Sequence, residues 1–236
     1  MALSVSQTRA VLDLMRGGMR IASLGYPDII AEIPESPGLA YRQDSKAICK
    51  RHGMEYRPIP DAHSFFGAYG CKLDVYDIVK ERGCEIILDL NERVDPILRA
   101  FNYDIVLDVG TLEHVFHIGQ AIKNMADMVK AGGYIIHENP FNCGNHGFYN
   151  LNPTFYADFY EANGFEIIEL SLANRNGMKA PAPRGARFRF TEAEVNTFCI
   201  AKRVSMQSFV WPVQSKYKNS IPDAGDRARL KEAVNG

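Results

Sequence analysis

"YDIVLDVGTLEHV", residues 103–115, joins a continuous apolar run to a turn that carries a glycine and ionisable side chains. A continuous apolar run of this length is typical of a strand in the middle of a parallel sheet, because helices cover both of its faces. Gly110 begins the turn, and Glu113, His114 and His117 follow it. Ligands of open parallel sheets bind beyond the carboxyl ends of the strands, so this turn is a candidate site.

Apolar runs alternate with helical patterns along the rest of the chain, which predicts an α/β fold with a mostly parallel sheet covered by helices on both faces. The segment 76–83 is short but long enough for the helix of a βαβ unit, and we expect Ile78 and Val79 of this helix to face the sheet. Ser6, Asp44 and Asn152 are the predicted helix caps. The predicted strands are 20–25, 70–75, 84–90, 103–110, 133–140, 165–170 and 196–204.

Composition excludes several classes of protein. Lys and Arg total 27 against 28 Asp and Glu, so the net charge of −1 gives no attraction to nucleic acid or anionic membranes. The five cysteines lack the spacing of a zinc site, which predicts reduced thiols and no metal. No apolar run reaches the roughly 18 residues of a membrane span, and we expect a cytoplasmic protein.

Two further stretches continue the opening one: "AIKNMADMVKAGGYIIHENP" (121–140) and "FYNLNPTFYADFYEANGFEIIEL" (148–170). In this order they resemble the class I S-adenosylmethionine-dependent methyltransferase family over residues 103–170. The resemblance implies a Rossmann-like sheet of seven strands with an antiparallel C-terminal strand. It also implies a domain over 1–205, with an insertion or lid at 26–69 and a substrate cap at 171–190, followed by a tail at 206–236.

The cofactor implied by the resemblance is S-adenosylmethionine, with S-adenosylhomocysteine as the product. Asp74 would bind the ribose hydroxyls, with Asp77 as the fallback, and Asp89 and Leu90 would flank the adenine. The sulfonium end would pass over the backbone of three consecutive turn residues, which are Gly110, Thr111 and Leu112.

The first loop, "IASLGYPDII" (21–30), departs from the glycine-rich turn of the family, because Gly25 is its only glycine. Three interpretations stay open: a looser site that uses Gly25 and Tyr26, a site completed by the long insertion up to Gly70, or lost cofactor binding. Phe65 and Phe66 in that insertion belong either to the core or to a lid over the acceptor.

The candidate catalytic residues are His146, then His114 with Glu113, because an imidazole with a pKa near neutrality can remove a proton from a methyl acceptor. His117 is a weaker candidate. The loop after the fifth strand and the excursion before the last strand supply the predicted substrate contacts, which are His137, Asn139, Tyr149 and Arg187. Since side chains alternate along a strand, only one of His137 and Glu138 can face the site.

The sequence therefore predicts a methyltransferase acting on a small molecule, with an oxygen of a sugar, a natural product or a phosphonate-like acid as the acceptor. We expect neither nucleic acid nor membrane as a partner, and a homodimer stays open. Two alternatives remain. One is a Rossmann-like binding or scaffold protein that has lost catalysis, and the other is a nucleotide-dependent enzyme with different chemistry.

Overall fold

The computed structural model describes residues 2–33, 38–94, 102–174, 177–183, 187–189 and 194–220. Within them, ten strands form one large sheet and one short parallel pair, β1 with β3. The strands are β1 (Ala2–Leu3), β2 (Arg20–Leu24), β3 (Asp28–Ile29), β4 (Lys72–Asp77), β5 (Ile86–Ile87), β6 (Tyr103–Asp108), β7 (Val129–Pro140), β8 (Phe165–Ala173), β9 (Lys179–Pro181) and β10 (Asn196–Arg203).

The large sheet has the order β5-β4-β2-β6-β7-β10-β8-β9. The strands from β5 to β7 are parallel, whereas β10 runs antiparallel to both β7 and β8. The chain moves outward from β2 to β4 and β5 and then returns to β6 on the other side of β2. This reversal is a topological switch point. The predicted Rossmann-like α/β fold with an antiparallel C-terminal strand is confirmed, and the short edge strand β9 adds to it.

Helices cover both faces of the sheet. Buried side chains of α4 and α5, among them Met125 and Tyr156, pack on one face, and those of α1 and α3, among them Val11 and Phe65, pack on the other. The helices are α1 (Val5–Leu14), α2 (Ser45–Arg51), α3 (Ala62–Ala68), α4 (Ile118–Met128) and α5 (Pro153–Ala162), with 3-10 turns at Leu112–His114 and Ser215–Ser220.

The insertion at 26–69 contributes to this packing. Phe65 and Phe66 are buried beneath the sheet, so they belong to the core and the alternative of a lid is wrong for them. In the part of the chain that the structure describes, no helix has the length and apolarity needed to cross a membrane.

Two local predictions are wrong. Helix α1 is capped by Ser4 rather than Ser6, because Ser4 and Gln7 bond reciprocally in a capping box. The segment between β4 and β5 forms no helix, since it is shorter than the dozen or so residues of a helical crossover. Ile78 and Val79 there are 61% and 53% exposed instead of facing the sheet.

The segment after β10 lies against α5. The side chain of Asn163 donates a hydrogen bond to the carbonyl of Val210 at 3.0 Å and accepts one from its amide at 2.9 Å. The Ser215 amide donates to Asp158 at 3.0 Å. Trp211 packs against Gly119, where an added Cβ would lie 3.2 Å from the indole ring. The beginning of the predicted tail is therefore attached to α4 and α5.

Candidate functional site

A cavity of about 270 Å³ opens at the carboxyl ends of β2, β4 and β6. It lies where the chain order reverses, which is where ligands of open α/β sheets bind. Its volume is close to the lower end of the range for small-molecule sites, roughly 300 Å³. We call it the switch-point cavity; its lining residues are Leu24, Gly25, Tyr76, Asp77, Ile78, Leu88, Asp89, Leu90, Asn91, Thr111, His114 and Val115.

Backbone contacts tie the three strand ends together around the switch-point cavity. Gly25 has a φ of +88°, a conformation that favours glycine, and its amide donates to the carbonyl of Tyr76 at 2.7 Å. The hydroxyl of Thr111 donates to the carbonyl of Leu24 at 2.5 Å. The first bond joins the end of β2 to that of β4, and the second joins it to the turn after β6.

Asp74, the first choice for the ribose, lies away from the cavity lining. Its carboxylate accepts hydrogen bonds from Arg20 at 3.0 Å and from the Tyr103 hydroxyl at 2.8 Å, within the sheet. The reason is that β4 continues to Asp77, so the fallback residue is the one at the carboxyl end of the strand. Extending the predicted strand by two residues would have favoured Asp77.

The other predicted cofactor residues divide into two groups. Four line the cavity: Gly25, Asp89, Leu90 and Thr111. The Asp89 carboxylate also accepts from the Asn91 amide at 2.9 Å, so it caps its own turn as well.

Tyr26, Gly110 and Leu112 lie outside the lining. Tyr26 is buried, with its hydroxyl bonded to Asp61 at 2.7 Å, and Leu112 is buried in the core. Gly110 has a φ of +84°, and a Cβ added there would lie 3.3 Å from the Glu113 carboxylate. These three residues therefore shape the loops and the core around the site.

A buried polar network supports the turn after β6. One oxygen of Asp108 accepts from the amides of Thr111 and Leu112 at 2.9 and 3.2 Å, and the other lies 2.8 Å from His137 Nδ1. The Tyr160 hydroxyl lies 2.5 Å from His137 Nε2. Burial raises the pKa of Tyr160 well above its usual range, so this hydroxyl stays protonated in its contact with the imidazole.

His137 is therefore not a substrate contact, because the ring is fully buried and both of its nitrogens are bonded within the protein. The sequence analysis did not identify Asp108. Its position as the last residue of β6, directly before the turn, was the available signal. Glu138 points to the opposite face, where its carboxylate bonds Ser4 and Asn196, as alternation along a strand requires.

Glu113 is held by a second buried group. Its Oε2 accepts from the Asn139 amide at 2.9 Å, and the Tyr156 hydroxyl donates to the side-chain oxygen of Asn139. Burial, together with the negative charge of Asp108, raises the pKa of Glu113 to about 7. Asn139 is only 1% exposed, so its predicted contact with substrate is replaced by this support of Glu113.

The three predicted catalytic residues lie together beside the switch-point cavity. Glu113 Oε1 lies 3.6 Å from His146 Nε2 and 3.9 Å from His114 Nε2. The two half-exposed imidazole rings are 5.3 Å apart. Burial and the adjacent His146 lower the pKa of His114, which also lines the cavity. We call Glu113, His114 and His146 the His-Glu cluster.

Backbone contacts bring the loop with His146 onto the turn with Glu113. The amides of Phe148 and Tyr149 both donate to the Glu113 carbonyl, at 2.9 and 3.3 Å. A Cβ added at Gly147 would lie 2.8 Å from that carbonyl oxygen and 3.0 Å from His114 Nδ1, so only glycine allows this approach.

The remaining predicted residues are less central. The Tyr149 hydroxyl donates to the Phe116 carbonyl at 2.8 Å, so it stabilises the loop. Arg187 and His117 are exposed, and neither lines the cavity. Arg184, another arginine of the same excursion, lies outside the described residues.

No protein-family model and no curated protein matches the sequence. Among solved structures, the chain is similar to TehB from Haemophilus influenzae, with 11% identity and a TM-score of 0.46 over 83% of this chain and 60% of that one. It is also similar to a Burkholderia thailandensis 1,6-didemethyltoxoflavin-N1-methyltransferase with bound S-adenosylhomocysteine, with 12% identity and a TM-score of 0.45 over 84% and 76% of the two chains.

A third similar structure is a SAM-dependent methyltransferase from Archaeoglobus fulgidus, with 13% identity and a TM-score of 0.44 over 83% and 91% of the two chains. The strand order and its reversal at β2 and β6 are sufficient for the fold, which is Rossmann-like with an antiparallel strand between β7 and β8.

Proposed function

We propose that this chain is an S-adenosylmethionine-dependent methyltransferase that acts on a small molecule. The observation that carries the proposal is the adjacency of the switch-point cavity, which is lined by two carboxylates, and the His-Glu cluster at its edge. His114 belongs to both, so a donor held in the cavity would meet an acceptor held at the cluster.

The lining of the cavity fits the donor. Asp77 is the last residue of β4 and lines the cavity, where its carboxylate would accept hydrogen bonds from the ribose, as an acidic residue in this region of a Rossmann-like sheet does. Leu88, Leu90 and Val115 supply apolar surface for the adenine. The backbone at Gly25 and Thr111 forms the floor under the methionine part.

The His-Glu cluster forms the acceptor side. When bound, S-adenosylmethionine supplies an electrophilic methyl group on its sulfonium. The protein must hold the acceptor oxygen close to this methyl group and in line with it. A side chain must also accept the proton of that oxygen. We assign these tasks to His146, His114 and Glu113.

Two exposed aromatic rings indicate an organic acceptor. Phe116 and Phe148 pack at right angles, with ring centroids 5.4 Å apart, and they come two residues after His114 and His146 in the chain. They are 69% and 62% exposed, so they offer apolar surface to a ligand at the cluster. A sugar, a natural product or a phosphonate-like acid that accepts the methyl group on oxygen is our proposal for the substrate class.

The competing function is a binding or scaffold protein without catalysis. The first turn favours it, because Gly25 is the only glycine between β2 and β3. Calorimetric titration with S-adenosylhomocysteine separates the two, since only the methyltransferase requires this ligand to bind. Absence of binding at high micromolar concentration would overturn the methyltransferase proposal.

A pair of aspartate variants tests the ribose assignment. Asp77→Ala removes charge-assisted hydrogen bonds of about 1.5 to 3 kcal/mol, and we expect more than tenfold weaker binding of S-adenosylhomocysteine. Asp74→Asn is the matched control on the same strand, because an amide still accepts from Arg20 and Tyr103. Equal affinities of Asp77→Ala and the unchanged protein would show that another residue binds the ribose.

A further inference from the structure

We propose that Glu113, His114 and His146 together bind a divalent transition-metal ion, for which Zn²⁺ is the best candidate. The role of this ion in holding an acceptor oxygen rests on the proposed methyltransferase function, whereas its binding does not. The sequence analysis predicted no metal, because Glu113 and His146 come from loops after different strands and form no motif along the chain.

The donor atoms are already close to the required arrangement. One donor atom from each residue can be chosen such that all three lie within 4.8 Å of one another. Around a tetrahedral zinc ion with bonds of about 2.0 to 2.1 Å, donor atoms are about 3.4 Å apart. The distances of 3.6 and 3.9 Å from Glu113 Oε1 to the two imidazoles approach this value. The half-exposed imidazoles can complete the contraction by rotating about their side-chain bonds.

Hydrogen bonds orient the Glu113 carboxylate in the way that is usual for a metal ligand. Carboxylates that bind metals are normally oriented by hydrogen bonds from neighbouring side chains. Glu113 has this support, because Asn139 binds its Oε2, Tyr156 holds Asn139, and Oε1 is left on the side of the two imidazoles.

The two imidazoles are available as ligands. Within the described part of the chain, neither ring of His114 and His146 makes a hydrogen bond, and the Nε2 atom of each ring faces Glu113 Oε1. Their nitrogen lone pairs are therefore free to coordinate. Gly147 and the amides of Phe148 and Tyr149 hold the two loops at this distance before any ion arrives.

The donor types indicate which ion binds. Two imidazole nitrogens and one carboxylate favour zinc or a similar transition metal, whereas magnesium and calcium prefer sets of oxygen ligands. Three protein ligands leave one tetrahedral position open, which is the arrangement of catalytic zinc sites. An acceptor hydroxyl in that position would have a lowered pKa and would release its proton to solvent, so that with the ion bound the two histidines act as ligands and not as the proton acceptors.

Calorimetric titration of the metal-free full chain with Zn²⁺ tests the inference. We expect one ion per chain, with affinity reduced at least about tenfold in His146→Ala, since a lost ligand should cost no less than a lost supporting group. His117→Ala is the matched control, because His117 is an exposed histidine of the same turn that is outside the cluster. No binding, or equal binding by all three proteins, would overturn the site.

Two further measurements complete the test. Glu113→Gln keeps an acceptor for Asn139 but loses the charge, and its zinc affinity should fall while its circular dichroism spectrum stays that of the unchanged protein. The absorption spectrum of the Co²⁺ complex should be that of an ion bound by nitrogen and oxygen ligands. An intense thiolate charge-transfer band would instead place the ion on cysteines and refute the site.

The same proteins separate this inference from the proposed function. His146→Ala should still bind S-adenosylhomocysteine, because His146 does not line the cavity. If the protein binds S-adenosylhomocysteine but does not bind zinc, the metal site is overturned and the methyltransferase proposal stands. If it binds zinc but does not bind S-adenosylhomocysteine, the metal site stands and the methyltransferase proposal is overturned.

Discussion

The switch-point cavity and the His-Glu cluster lie side by side but are stabilised in different ways. The cavity is formed by backbone contacts, apolar side chains and two carboxylates at strand ends. The cluster rests on side chains that are fully buried and bonded to one another, such as Asp108 with His137 and Asn139 with Tyr156. We therefore expect substitutions under the cluster to reduce stability and substitutions at the cavity to act mainly on ligand affinity.

Replacement of His137 should have the largest effect on stability. His137→Ala leaves the Oδ2 of the buried Asp108 carboxylate without its partner, while Oδ1 keeps its two backbone amides, at a cost of about 3 kcal/mol. His146→Ala is the control, a half-exposed histidine of the cluster, and should cost less than about 0.5 kcal/mol. Urea unfolding followed by circular dichroism measures both. Similar free energies of unfolding for the two variants would mean that the buried network is not the main support.

Replacement of Gly147 should have the next largest effect. Gly147→Ala places a Cβ within 3.0 Å of the Glu113 carbonyl and of His114, which forces the two loops apart, at about 1 to 3 kcal/mol. At Gly144, in the same loop, an added Cβ meets nothing within 4 Å, so Gly144→Ala should leave the unfolding midpoint unchanged. If the two alanine variants unfold at the same urea concentration, the close approach of the loops is not needed.

Thr111 tests the cavity side of the comparison. Thr111→Val removes the hydrogen bond to the Leu24 carbonyl, at a cost of about 1 kcal/mol, and loosens the contact between the ends of β2 and β6. We expect a several-fold loss of S-adenosylhomocysteine affinity with a small fall in the melting temperature. Thr111→Ser keeps the hydroxyl and should retain the affinity, and weak binding by both variants would point to the methyl group instead.

Glu138 should give the smallest effect, and its sign depends on pH. Burial raises the pKa of this carboxyl above its ordinary value of 4.5, although hydrogen bonds from Ser4 and Asn196 oppose the shift. A raised pKa means that the contribution to stability is complete below about pH 4.5 and is lost as the pH rises through the folded-state pKa. Glu138→Gln should therefore raise the melting temperature at pH 7, and this gain should disappear near pH 4. A gain that grows on acidification would contradict the assignment.

The fold was largely predictable, because its signals are local. The continuous apolar run of β6 and the periodic apolar positions of α4 indicated an interior strand and its covering helix. The connection between β4 and β5 was not predictable in the same way, because Ile78 and Val79 suggested a helix that the length of the segment does not allow. The apolar side chain of Ile78 lines the cavity instead.

The site was predictable only in part. Sequence order placed Glu113, His114 and His146 at the same edge of the sheet, because both loops follow carboxyl ends of parallel strands. It could not show that His137 and Asn139 turn inward, since that depends on Tyr160 and Tyr156 of a helix that packs across them. The side of a strand that faces a ligand is a property of tertiary packing.

The attachment of residues 207–215 to α5 has a consequence for the order of events during synthesis. Asn163 at the end of α5 finds its hydrogen-bond partners in Val210, and Asp158 finds one in Ser215. These partners leave the ribosome only after the whole sheet has been translated. Helix α5 therefore gains these three hydrogen bonds only after every strand of the sheet has been synthesised.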